Sequence, residues 1–171
     1  MIGFAKFSKD RLSRYSLYRI WEKKLPRILF IMLNPSLACS NKNDPTIKKL
    51  IIFSKSWGFG GFYVGNLYSN ISPYPKSILS IKNIQEKKNI DSIKNMVKKS
   101  KLTIYAWGNN EKTPIWLRKI VKVPYCIELS VNGVPKHPLY LKKTLKYQKI
   151  KITKQCTSGG NRTHTLERTG F

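Results

Sequence analysis

Apolar and polar positions alternate along this chain in segments whose periods differ, and the periods predict the elements. Residues 14–21, RYSLYRIW, are aromatic and β-branched and partly alternate, which predicts an extended segment with one solvated face. Ile28 to Leu33 is continuously apolar between Pro26 and Pro35, the pattern of a central strand buried on both sides. Asp44-Pro45-Thr46 reads as a helix start, with Asp44 as the N-cap and Pro45 in the first helical position, where no donor is lost. Ile47, Leu50, Ile51, Ser54 and Trp57 then share one helical face, and Gly58 stands where a left-handed cap is wanted.

Further on, Phe62 to Leu67 predicts a second core strand, and Ile90, Ile93 and Val97 form one stripe of a Lys-rich helix. Leu102 to Trp107 predicts a third such strand, Pro114 to Val121 a short helix, and Tyr125 to Leu129 a fourth strand. This β-α-β-α-β-α-β order predicts an α/β fold: a mainly parallel open sheet of about four or five strands with helices on both faces. Residues 1–150 are expected to form one α/β domain. Residues 151–171 lose apolar periodicity and gather Thr, Gly, Asn and Arg, so a disordered tail is expected. The ending CTSGGNRTHTLERTGF also resembles peptides read through from a frame that runs into a transfer-RNA gene, and His164 within it is set aside.

Composition narrows the chemistry. The chain has 171 residues, 33 Lys plus Arg against 8 Asp plus Glu, and a net charge of +25. Such a field draws polyanions by counterion release, which makes nucleic acid or a nucleotide the expected partner. The 26 Lys among the 33 also match the Lys, Ile and Asn bias of AT-rich coding, a source of charge that needs no partner. Cys39, Cys126 and Cys156 are widely spaced with no CxxC or HxxxH, and the carboxylates are scattered, so no disulfide framework, metal site or cofactor is expected. The longest apolar run, Ile28 to Leu33, is too short for a membrane span, and the first thirty residues hold no signal-peptide core, so a cytoplasmic location is expected.

In an open α/β sheet, ligands bind beyond the carboxyl ends of the strands. The residues following the expected strands are Asn34-Pro35-Ser36, then Asn66 with Tyr68, Ser69 and Asn70, then Trp107 with Asn109 and Asn110, then residues 133–140, GVPKHPLY. Asn34 and His137 are the candidate catalytic residues; Ser36, Asn66, Tyr68, Trp107, Asn109 and Tyr140 are the candidate substrate-binding ones. Amides, hydroxyls and one imidazole suit a planar polar ring held by its edge, with Tyr68, Tyr74, Trp107 and Tyr140 as stacking surfaces. A Ser36 or Cys39 nucleophile is a weaker alternative without a G-x-S-x-G elbow, and no phosphate-binding glycine loop is present. A non-catalytic ligand or protein binding module is the other reading of the same loops.

The series RYSLYRIW, FIMLNPSLA, DPT, WGFGGFYVGNLYS, AWG and GVPKHPLYL resembles the bacterial and phage family called domain of unknown function 1643, over roughly residues 14 to 141. Cys39 stands where that pattern has an acidic residue, and SNISPYP replaces a basic-Thr-Asp-Pro stretch. More distantly, the chain is similar to the uracil-DNA glycosylase superfamily, whose first loop is of the G-x-N-P-G type; Met32 and Ser36 replace its glycines. That similarity implies a three-layer α/β architecture and N-glycosidic hydrolysis, with Asn34 positioning water, Asn66 reading the base edge and His137 stabilising the departing base anion.

Overall fold

The computed structural model describes residues 1–36, 43–71, 83–108 and 111–151. Chain order is β1 (Ile2–Phe7), β2 (Arg14–Ile20), β3 (Arg27–Met32), α1 (Pro45–Ser56), β4 (Gly61–Asn66), α2 (Asn83–Lys99), β5 (Leu102–Tyr105), α3 (Ile115–Ile120), β6 (Pro124–Cys126), a 3₁₀ turn (Pro138–Tyr140) and β7 (Gln148–Lys149).

Strand β3 lies at the centre of the sheet, and its uninterrupted apolar sequence serves two cores at once. Ile28, Phe30 and Met32 face Ile47, Leu50 and Phe53 of α1. Leu29 and Ile31 face Ile93 and Met96 of α2 and Leu117 of α3. Alternation on a strand covered on both sides therefore appears as alternation between two helical layers. Helix α1 begins as its sequence dictates: the Asp44 carboxylate accepts from the Ile47 amide at 2.7 Å, and Pro45 occupies the first turn. Helix α2 comes so close to β4 that a Cβ on Gly65 would sit 3.0 Å from Ile93 Cγ1 and Met96 Cε. The buried Asn89 side chain pins the same helix, donating from Nδ2 to the Asn66 carbonyl at 2.9 Å.

The expected sheet needs correction. Seven strands are present among the described residues, in the order β1-β2-β4-β3-β5-β6-β7. The pairs β3/β4, β3/β5 and β5/β6 are parallel, whereas β1/β2, β2/β4 and β6/β7 are antiparallel, so the sheet is mixed instead of mainly parallel with four or five strands. The central α/β alternation correctly implies crossovers, but β1, β2 and β7 join by other routes, and antiparallel strands need no crossover helix. The expected tail from 151 onward lies outside the described residues except for Lys151. No helix among the described residues is long and apolar enough to cross a membrane.

Strand β2 carries one irregularity with consequences for the site. Lys6 pairs with Ser16 while Phe7 pairs with Arg14, leaving Tyr15 as an extra residue. Such a bulge reverses the side-chain alternation of the strand from that point. Arg14 is thereby turned to the side that Leu17 and Arg19 occupy, toward α1.

Phe30 is fully buried and packs edge-on against Phe62, with ring centroids 5.8 Å apart. Phe30→Ala is expected to cost about 3–5 kcal/mol of stability. Ile115→Ala, at a side chain 73% exposed, is expected to stay within about 0.5 kcal/mol. Urea unfolding midpoints check the pair, and equal midpoints would show that the core is not centred on β3.

Candidate functional site

The carboxyl ends of β3, β4, β5 and β6 meet on one side of the sheet, because these four strands run parallel and in close register. Met32 pairs with Asn66, so the turn after β3 and the end of β4 are neighbours. A cavity of about 250 Å³ opens there, lined by Asn34, Ser36, Asn66, Trp107, His137 and Tyr140 together with Arg14 and Asp44. This is below the roughly 300 Å³ at which pockets for drug-sized ligands begin, and suits one small ring. Of the candidate residues, Tyr68 is not among the lining side chains. It is half-buried, its amide donates to the Leu33 carbonyl at 3.0 Å, and burial together with Glu111 raises its pKa. Asn109, Asn110, Tyr74 and Cys39 lie outside the described residues.

Asn66 is a deeply buried polar group of the cavity, 2% exposed. Its backbone carbonyl is taken by Asn89, while its side-chain Nδ2 is buried with no hydrogen-bond partner among the described residues. An unsatisfied buried donor of this kind costs about 1–3 kcal/mol, which a ligand acceptor would recover.

His137 is positioned from both sides. Lys136 N–H donates to the Glu128 carbonyl at 2.9 Å and Gly108 N–H to the Pro135 carbonyl at 2.8 Å, which fastens the 133–140 segment to β5 and β6. Gly108 has φ +68°, and a Cβ there would stand 3.2 Å from His137 Cβ, so a side chain would meet both backbone strain and the imidazole's stem. His137 caps the 3₁₀ turn, its Nδ1 accepting from Leu139 N–H at 3.3 Å. Burial lowers its pKa, with Asp44 acting in the opposite sense. A neutral ring whose Nδ1 is an acceptor carries its proton on Nε2. His137 is therefore built as a donor, not as a general base.

Asp44, the one carboxylate among the lining residues, is engaged twice. Oδ1 accepts from Ile47 N–H at 2.7 Å and Oδ2 from the Ser36 hydroxyl at 2.5 Å. The Ser36 O–H thus points to Asp44, and no Ser36–His137 hydrogen bond of the kind a nucleophile needs is present among the described residues. Trp107 is 1% exposed, donates from Nε1 to the Glu111 carbonyl at 3.0 Å and packs on Tyr105 at 4.6 Å, so it is wall, whereas Tyr140, 85% exposed and 5.8 Å from the His137 ring, is rim.

Arg14 escapes sequence reasoning that treats residues 14–21 as a simple alternating strand. It is 2% exposed. Its Nη1 donates to the Ser36 carbonyl at 3.3 Å, and burial pushes its pKa down to about 10 against the pull of Asp44. Arg19, on the same side, donates from Nε to Asn43 at 2.8 Å, so two arginines of β2 hold the approach to α1. A signal was available: in a chain with 26 Lys and 7 Arg, two Arg within one aromatic strand mark positions where a planar, multidentate cation is needed. With Arg14 positive, Asp44 negative and His137 neutral, the charged side chains of the cavity balance. Among the described residues no group of His, Cys, Asp and Glu could hold a metal ion.

The depressed pKa of His137 has a definite sign. The unfolded imidazole takes a proton near 6.5, and the folded one only at lower pH. The associated stability is therefore fully present above about 6.5 and is lost as pH falls through that value toward the folded pKa. NMR titration of the full chain, assigned with His137→Gln, is expected to give a midpoint below 6.5 and the Nε2–H tautomer above it. A midpoint above 6.5, or an Nδ1–H tautomer, would contradict the donor assignment.

Neither the curated proteins nor the solved structures contain a match to this chain. A family model does match, described as protein of unknown function (DUF1643), over residues 14–139. The matched span runs from Arg14 at the buried edge of the cavity to the 3₁₀ turn that His137 caps, and takes in most of the chain, which accordingly belongs to the DUF1643 family.

Proposed function

We propose that this chain recognises a nucleobase, free or in nucleic acid, in the cavity at the carboxyl ends of the parallel strands. The observation that carries this reading is the meeting of Asn34, Asn66 and His137 around one small space. Asn66 offers a buried donor without a partner among the described residues, and His137 a neutral N–H. Two donors converging on a ring-sized cavity favour a heterocycle that presents carbonyl or ring-nitrogen acceptors, and Tyr140 supplies an exposed aromatic face at the rim. Charge balance within the cavity favours an uncharged ring over a phosphate.

N-glycosidic hydrolysis is the catalytic form of this reading. In it, Asn34 positions water, Asn66 holds the base and His137 stabilises the departing base anion, the roles implied by the similarity to the uracil-DNA glycosylase superfamily. A neutral imidazole N–H supports such electrostatic stabilisation. The engagement of Asp44 by the helix cap and Ser36 favours the other form, binding without turnover, because it leaves no free carboxylate to activate water.

Calorimetric titration of the full chain with uracil, cytosine, adenine and guanine tests recognition. At least one base is expected to bind, independently of ionic strength, and Asn66→Ala is expected to weaken that binding about tenfold. Heat-silent titrations with all four bases would refute recognition. Incubation with oligonucleotides carrying deaminated bases separates the two forms: base release that His137→Gln abolishes marks a hydrolase, and binding without release marks a module.

A further inference from the structure

The reading above leaves the charge of the chain unused, since the cavity is balanced. The other face of the sheet holds the surface that would use it. Helix α2 packs on β2, β4 and β3, with the Ser92 hydroxyl donating to the Tyr15 carbonyl at 3.1 Å, and β1 runs out beyond it, leaving a groove of about 1100 Å³ between the hairpin and the helix. Its floor is a cross-strand row of rings. Phe4 is paired with Tyr18 and Tyr18 with Tyr63 in register, with centroids 5.6 and 5.9 Å apart. Phe4 is 46% exposed, and its ring, with those of Tyr18 and Tyr63, forms a contiguous aromatic patch instead of a lone surface residue.

The walls are cationic. Lys6 and Lys9 come from the hairpin, and Lys88 and Lys99 from one stripe of α2, all four exposed. The lining carries these four lysines against two carboxylates and so stays net positive: Asp10 accepts from Ser8 and from Leu12 N–H, which lowers its pKa and keeps it anionic, and Asp91 pairs with Lys94 at 3.5 Å. Rings in a row on a sheet, flanked by lysines, offer bases a stacking surface and phosphates a counter-charge. Paired bases keep their faces inside the duplex, so only unpaired ones can use such a floor.

We infer that this groove seats single-stranded nucleic acid, its bases stacked on Phe4, Tyr18 and Tyr63 and its phosphates on Lys6, Lys9, Lys88 and Lys99. The inference rests on the nucleic-acid half of the proposed function and gives it a second surface. The bulge joins the two: Tyr15 lines the groove, and the preceding residue, Arg14, lines the cavity.

Fluorescence anisotropy of the full chain with labelled oligo(dT), oligo(U) and a duplex of equal length tests it. Both single strands, or one of them, are expected to bind more tightly than the duplex, and more weakly as salt rises. Tyr18→Ala is expected to weaken single-strand binding about tenfold, with Phe4→Ala, at an exposed position, standing in should the first variant fail to fold. The double variant Lys6→Gln with Lys99→Gln should weaken binding, whereas Lys119→Gln with Lys143→Gln, equal in charge but away from the groove, should not. Duplex binding as tight as single-strand binding, ring variants without effect, or a control pair as damaging as the groove pair would each overturn the groove. Asn66→Ala separates the two sites: it should spare oligonucleotide anisotropy while weakening free-base binding, so loss of one reading leaves the other measurable.

Discussion

Asp44 is the group on which the site depends. Its carboxylate starts α1 through the Ile47 amide, fixes the turn after β3 through the Ser36 hydroxyl, and acts electrostatically on both Arg14 and His137. A single negative charge thus fastens a helix to a strand end and offsets a buried guanidinium. The same engagements occupy both of its carboxylate oxygens. Helix capping alone contributes about 0.5–2 kcal/mol, and loss of the counter-charge to Arg14 adds the larger cost of an uncompensated buried cation.

The sheet divides the labour between its faces. On the α1 side the parallel strand ends bring amides and an imidazole to a small, charge-balanced space. On the α2 side, where β1 extends the sheet beyond the helix, rings and lysines line the groove. The mixed sheet is therefore not incidental. Crossovers build the cavity, and the hairpin added at the edge builds the groove.

Much of the core was legible in the chain because its signals are local. The run from Ile28 to Leu33, the Asp44-Pro45 start of α1 and the stripe through Ile93 each reflect a single element's burial, and strand-end polar residues follow from the geometry of parallel sheets. What was not legible depends on partners far away in sequence. Strand β1, IGFAKF, is mostly exposed and carries Gly and Ala, so it gains its identity only by pairing with β2. Strand β7 is two exposed residues held by β6. The inward turn of Arg14 was hidden by a bulge that alternation cannot foresee, and the burial of Asn89 by its place beside, not within, the apolar stripe of Ile90, Ile93 and Val97. Both are polar groups whose burial is decided by tertiary packing.

The central claim is that three side chains, two from the ends of β3 and β4 and one from the loop after β6, act on one ring. A crystal structure of the full chain grown with a bound nucleobase tests it most directly. The account predicts the ring inside the cavity, with an acceptor atom within about 3.2 Å of Asn66 Nδ2, and with His137 Nε2 and the Asn34 amide on the same heterocycle. A base seated elsewhere on the molecule, or one in the cavity touching neither Asn66 nor His137, would contradict it.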